Sequence, residues 1–401
     1  MLSIHSHIET QRCVRCGICK TNCPTYHTAL NESMSARGRV ALLKGLAEGR
    51  LTITKTLSDR IFSCILCEAC KGICPLGLDI PEAICEGRKV LGYSFLKWRL
   101  IGDAIKLFIN RMDMTFLLLK VIQKVEQVTV KVFPRSPAIS HLPPITTTPL
   151  KRVTQVTARA QRLYRKRSVI ARVAIFWGCS INYLYPSYGS ALINILNKKN
   201  YEVVILSGEV CCGAPLRSMG LKQEMVSLAR KNIELFKNIK ALAVISLCPT
   251  CTMTIKRDYP LLTGDGIPNI MDVNEFFIRH EVLNGLRTDK MTVTYHDPCH
   301  LIYGLGITEE PRTLIRMING IRLIEMPVAC CGFGGTFSML FKGLSSEMGK
   351  RRIEDIRHTG ADAVVTSCPG CIMQLQKMKR QTNTDIQIMH IVELIDRTMN
   401  K

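Results

Sequence analysis

Two runs of four cysteines, each spaced C-x2-C-x2-C-x3-C-P, dictate most of what the first hundred residues can become. The first is Cys13, Cys16, Cys19 and Cys23 before Pro24; the second is Cys64, Cys67, Cys70 and Cys74 before Pro75. Three thiolates with two residues between them can wrap three corners of a [4Fe–4S] cube from one short loop. The proline turn aims the fourth away, toward a neighbouring cluster. Each run therefore completes its partner's site. Cys13, Cys16, Cys19 and Cys74 form the first ligand set; Cys64, Cys67, Cys70 and Cys23 form the second. Zinc is the alternative, but zinc sites pair C-x2-C motifs across a longer loop, with four thiols per ion. Two matched runs with Cys-Pro ends fit clusters better.

This is the cysteine run of bacterial two-cluster ferredoxins. The forty residues between Cys23 and Cys64 exceed a compact β-ferredoxin. "SARGRVALLKGLAEG", residues 35–49, reads as a helix with Ser35 at its N-cap and Gly49 at its end. "LDIPEAICEGRKVL", residues 78–91, reads as another, with Pro81 in the first turn and Cys85 as a buried structural thiol. The cluster pair is thus carried on a mostly helical module.

The chain holds 19 cysteines in 401 residues. No basic-then-apolar leader or twin arginine opens it, so a cytoplasmic protein with reduced thiols is expected, and disulfides are a poor account of the count. The net charge of +22 suits an acidic partner or an anionic membrane surface. Nucleic acid ranks low, because no interleaved aromatic set accompanies the charge. Residues 100–133 are apolar but interrupted by Asp103, Lys106, Arg111, Asp113, Lys120 and Lys124, which predicts an amphipathic helix or helix pair rather than a spanning helix. Five prolines in residues 133–150 mark a linker. Eight Lys or Arg and no acid in 151–172 make either a solvated face or a docking surface for an acidic subunit or anionic lipid.

From residue 172 the sequence repeats. The first copy has Cys179, Cys211-Cys212-Gly213 and Cys248-Pro249-Thr250-Cys251; the second has Cys299, Cys330-Cys331-Gly332 and Cys368-Pro369-Gly370-Cys371, at offsets of 119 or 120. Each cysteine group follows an apolar β-branched run, such as "ALAVISLCPTC" and "ADAVVTSCPGC", with helical stretches between. That alternation predicts a parallel sheet with its sites at the carboxyl edge. The glycine after each Cys-Cys pair permits a tight turn beside a bulky group. Five convergent thiols per copy exceed one tetrahedral zinc and suit an iron–sulfur cluster, including an open, non-cubane one. Zinc, or thiols kept for structure alone, is the alternative. His296 and His300 flank Cys299 and are read as hydrogen-bonding backbone around the loop, with Asp297 capping the turn.

Taken together, these motifs resemble the cysteine-rich CCG family of iron–sulfur oxidoreductase subunits. The resemblance covers nearly the whole chain and is weakest over 95–170. The 35–49 stretch looks most like that of glycolate oxidase iron–sulfur subunits. The resemblance implies an α+β multidomain chain: an N-terminal helical two-cluster ferredoxin module (1–98), amphipathic helices with a proline-rich and basic linker (99–170), then two tandem α/β CCG domains (171–286 and 287–401). It implies two [4Fe–4S] clusters, with a further Fe–S or zinc site in each CCG domain. It also implies electron transfer from an FAD-containing dehydrogenase subunit that oxidises a 2-hydroxy acid such as glycolate or lactate, passing to a quinone or other acceptor, with peripheral contact at the inner face of the membrane. Both CCG copies are complete, as is typical of heterodisulfide reductases, which keeps a thiol–disulfide enzyme as the second reading. A docking subunit acting through residues 100–172 is a third. "CGFGGTF", 331–337, fits the CCG turn and not a dinucleotide loop.

Overall fold

The computed structural model describes residues 10–132, 150 and 169–399. The proline-rich and basic stretches predicted from the sequence lie outside the described residues, apart from Leu150 and residues 169–172. The N-terminal part is helical. Helix Ala36–Ala47 starts where expected: the Ser35 hydroxyl accepts from the Gly38 amide at 2.9 Å, and Gly49 follows its end with a positive φ. The "ARGR" sequence of its first turn has a structural reason. A Cβ on Gly38 would stand 1.9 Å from the Glu32 carbonyl oxygen. Arg37 pairs with Glu32, and the buried Arg39 donates to the Met34 and Arg60 carbonyls and to the Ser63 hydroxyl. One side chain thereby ties the exit of the first cysteine run to the entry of the second. Helix Ile80–Ser94 follows, capped by Asp79, with Cys85 fully buried on its inner face.

Two further helices, Leu96–Asn110 and Met112–Val132, replace the single apolar stretch of the sequence. Their inward residues hold them to the body. Trp98 stacks on Phe62 at 3.8 Å, and Phe116 stacks on Tyr183 at 4.2 Å.

The repeat folds twice into the same four-stranded parallel sheet. Strands β1 (Arg172–Phe176), β2 (Glu202–Val204), β3 (Ala243–Ser246) and β4 (Ile270–Asp272) lie in the order β2-β1-β3-β4. Strands β5 (Arg287–Tyr295), β6 (Asn319–Ile324), β7 (Ala363–Thr366) and β8 (Gln387–His390) lie in the order β6-β5-β7-β8. All pairs are parallel, as the strand–helix alternation predicts. One hydrophobic core runs through both copies, from Val173 and Ile175 to Val293 and Val365. Helices Pro186–Lys198 and Ile391–Met399 pack across the seam.

Candidate metal centres

Two small cavities in the N-terminal module are lined by the two cysteine sets. Cys13, Cys16, Cys19 and Cys74 line one; Cys23, Cys64, Cys67 and Cys70 line the other. Each therefore draws three thiols from one run and one from the other, and Ile80 borders both. Burial pushes the Cys19 thiol up to about 11, with the neighbouring thiols adding to the rise. A bound cation would supply the positive charge that lets thiols crowded in this way release their protons to solvent and ligate as thiolates, which is the behaviour a cluster requires.

In each repeat the five cysteines meet beyond the carboxyl ends of the strands. Cys179 follows β1 and Cys248 follows β3, while Cys299 and Cys368 follow β5 and β7. Contacts between sulfurs run Cys179–Cys211–Cys212–Cys251–Cys248 in the first copy. They run Cys299–Cys330–Cys331–Cys371–Cys368 in the second. The Cys331 and Cys371 sulfurs are 3.3 Å apart. The glycines after the Cys-Cys pairs have φ of 90° at Gly213 and 80° at Gly332, and a Cβ on Gly332 would meet the Ser345 carbonyl at 2.7 Å. Hydrogen bonds from Cys211 and then Cys251 hold Cys212 down at about 6, and those from Cys330 and Cys371 hold Cys331 down at about 5. The middle thiol of each series is thus shifted toward its charged form by the thiols on either side. Five sulfurs in one continuous series fit an iron–sulfur cluster better than a four-coordinate zinc.

The surroundings of the two repeats differ. Behind the second site, the buried Arg352 donates its Nε–H to His296 Nδ1 at 2.9 Å, which leaves the ring proton on Nε2, a buried atom with no partner. A ring nitrogen of His296 and the sulfurs of Cys331 and Cys371 all lie within 4.8 Å of one another. Burial, with Arg352 beside it, lowers the His296 pKa to about 3, so the ring is neutral. His300 donates from Nε2 to the Leu66 carbonyl at 2.9 Å and accepts from the Thr250 hydroxyl at Nδ1 at 2.8 Å. It therefore touches the second cluster loop and the first repeat's Cys-Pro-Thr-Cys turn while adjoining Cys299. Asp297 does not cap the turn as expected; its carboxylate takes both terminal nitrogens of Arg312, each at 2.9 Å.

The sites adjoin one another. Cys67 shares a cavity of about 350 Å³ with Cys299 and Cys330, and burial followed by those two thiols raises its pKa. Glu68, which no motif in the sequence singles out, accepts from Arg257 at 2.7 and 3.0 Å and from Arg217 at 3.4 Å. Arg88 donates to Ser218 in the first repeat and to the Phe62 and Cys64 carbonyls. The cysteine module is thereby locked onto both repeats.

Residues 9–78 match the 4Fe-4S dicluster domain family, and residues 173–256 and 293–376 match the cysteine-rich domain CCG. The chain belongs to the CCG iron–sulfur family. All eight N-terminal cysteines and all ten repeat cysteines fall inside the matched ranges. Among relatives, one component of the CoM/CoB fumarate reductase of Methanothermobacter marburgensis is 34% identical over 56% of this chain and 46% of its own length. The chain thus spans about half of that relative. The probable glycolate oxidase iron–sulfur subunit of Bacillus subtilis is 26% identical over 96% of this chain and 93% of its own. One component of the dihydromethanophenazine:CoB–CoM heterodisulfide reductase of Methanosarcina acetivorans is 25% identical over 98% and 94%. All three are named as oxidoreductase subunits.

Proposed function

We propose that this chain is the electron-relay subunit of a flavin-dependent 2-hydroxy-acid dehydrogenase, with glycolate or lactate as the substrate class. The observation that carries the reading is the contiguity of its four cysteine sites. The dicluster cavities share Ile80, Cys67 adjoins Cys299 and Cys330, and His300 joins the second site to the first repeat. The flavin partner oxidises the carbinol carbon to a carbonyl, releasing two electrons and two protons. The chain accepts the electrons one at a time and delivers them to a quinone or comparable acceptor. Cys13, Cys16, Cys19 and Cys74 would hold one [4Fe–4S] cluster and Cys23, Cys64, Cys67 and Cys70 the other. The ten repeat cysteines would hold a further centre in each CCG domain. Bound clusters supply one-electron redox capacity; the protein supplies thiolates, burial and the fixed spacing between sites. The domain boundaries 1–98, 99–170, 171–286 and 287–401 belong to this reading.

A second reading is favoured by the cavity at Cys299 and Cys330, which gives a small molecule access to the second CCG site. There a disulfide would take up two electrons and two protons and leave as two thiols, and two relatives carry CoM/CoB names. Co-purification from the native host separates the two readings. Glycolate- or lactate-dependent dye reduction that passes through bleaching of the cluster absorbance supports the relay. Flavin reduction that never bleaches the clusters sinks the relay, and disulfide reduction by this chain with no flavoprotein bound replaces it with the second reading.

A further inference from the structure

The two helices Leu96–Asn110 and Met112–Val132 are apolar on the side that faces away from the protein as well as on the side that packs. In the first, Trp98, Gly102 and Ile109 are buried. Leu96, Leu100 and Leu107 fall on the opposite stripe at the helical period of 3.6 and are 60–68% exposed. In the second, Phe116 is buried against Tyr183, while Met114, Leu117, Leu118 and Val121 occupy i, i+3, i+4 and i+7 and are 50–63% exposed. That spacing normally builds a core face; here it points outward.

The charge around these stripes selects the occupant. Between residues 96 and 124 six basic side chains stand against two acids. Both acids are engaged within the protein: Asp103 pairs with Lys106, and Asp113 accepts from the Tyr183 hydroxyl at 2.6 Å. Arg99, Arg111, Lys120 and Lys124 remain among the leucines, on a chain whose net charge is +22. No helix among the described residues is long and apolar enough to cross a membrane. Apolar stripes bordered by cations, on helices too polar to span, match a surface that lies in the interface of an anionic bilayer with its leucines below the headgroups. We infer that the outward face of this helix pair docks the protein on an anionic lipid surface.

The docking has a geometric consequence. The inward face of Met112–Val132 packs on the helix Gly178–Tyr183 that carries Cys179. A bilayer seated on the outer face therefore lies over the first CCG site, which becomes the centre placed for exchange with a lipid-soluble carrier. The inference stands whichever donor feeds the chain.

The test is sedimentation of the full-length, cluster-loaded protein with phosphatidylcholine vesicles, with and without phosphatidylglycerol. The wild type is expected to sediment with the anionic vesicles, less with the neutral ones, and less again as salt shortens the screening length to about 10 Å at 0.1 M. Leu117→Asp/Leu118→Asp and, on the other helix, Leu96→Asp/Leu100→Asp are each expected to lower the partition by about tenfold or more. Leu261→Asp, at an apolar position 77% exposed on a different helix, is expected to bind as wild type. Cluster absorbance unchanged in every variant shows that folding is preserved. Wild type that stays in the supernatant, stripe variants that bind undiminished, or association that appears only when a membrane protein is reconstituted in the vesicles would each overturn the inference.

Discussion

His296 has no counterpart in the first repeat. At an offset of 120 residues, Phe176 stands in its place and Asn232 stands in that of Arg352. Asn232 spends its side chain on Val210, Cys211 and the Tyr259 hydroxyl. The second site therefore has an imidazole N–H and a buried guanidinium behind its thiolates, and the first has a phenyl ring. A donor near cluster sulfur stabilises the extra negative charge of the reduced state and raises its potential. His296→Phe is expected to lower the midpoint of the second CCG centre by about 60 mV, the one-electron equivalent of a charge-assisted hydrogen bond worth about 1.4 kcal/mol. The first centre should not move. Titration followed by electron paramagnetic resonance reads both, and an unchanged midpoint defeats the argument. The dicluster cavities give a second expectation. Cys23 lines the cavity of Cys64, Cys67 and Cys70, so Cys23→Ala should perturb that cluster's signal and spare the one nearest in sequence. The spacing of the runs points to this exchange from the sequence alone, and the same cysteines line each cavity, because such geometry is local. Glu68 and Asp297 were not legible in the same way. Their partners Arg217, Arg257 and Arg312 are remote in sequence or lie on another element, and nothing local signals the pairing.

The helices and strands were readable to the extent that their signals are local. Helix Ala36–Ala47 follows from Ser35 and Gly49, and six of the eight strands follow from β-branched runs that end in cysteines. Strands β4 and β8 are three and four residues long, with no cysteine after them, and they exist because each completes an edge of its sheet. The amphipathic pair after residue 95 was also readable, but which apolar stripe turns inward depends on where Phe62 and Tyr183 stand in the fold. The helix between the cysteine runs invites a direct test. Gly38 lies where a Cβ would collide with the Glu32 carbonyl, a backbone atom that cannot swing aside. Gly38→Ala raises intrinsic helix propensity by roughly 1 kcal/mol, yet overpacking against fixed backbone costs about 1–3 kcal/mol. The net expectation is a lower denaturation midpoint together with weaker retention of the dicluster iron. A more stable variant would show that the turn at residues 32–34 yields easily.

At the scale of the whole molecule, the proposed electron path is continuous only while the cysteine module and the repeats stay docked, and Glu68 stands at the junction. It is buried beside Cys67 in the second cluster loop, and its partners Arg217 and Arg257 belong to the first CCG copy. Burial alone would raise the Glu68 pKa, but Arg217 and then Arg257 hold it below the usual range. Removing that charge leaves two guanidiniums of the first copy side by side at a closed interface, with Asp258, 3.3 Å from each, as the remaining counter-charge. Breaking one partner of a buried ion pair costs about 3–5 kcal/mol, and the help from Asp258 places Glu68→Gln toward the lower end. The sign of the pH dependence follows from the direction of the shift. A carboxylate whose folded pKa is depressed contributes fully above its unfolded value of about 4.3, and that contribution disappears as pH falls through the folded value. The gap between wild type and Glu68→Gln in urea midpoint should therefore be widest near neutrality and close as the pH drops below about 4. Acid sensitivity of the clusters is common to both proteins and cancels in the difference. The same variant should slow electron passage from the second cluster to the CCG sites, because Cys67 keeps its place beside Cys299 and Cys330 only while its neighbour is anchored. Equal midpoints across the pH range, or unaltered rates of cluster bleaching, would show that Arg88 and the surrounding core hold the junction without Glu68.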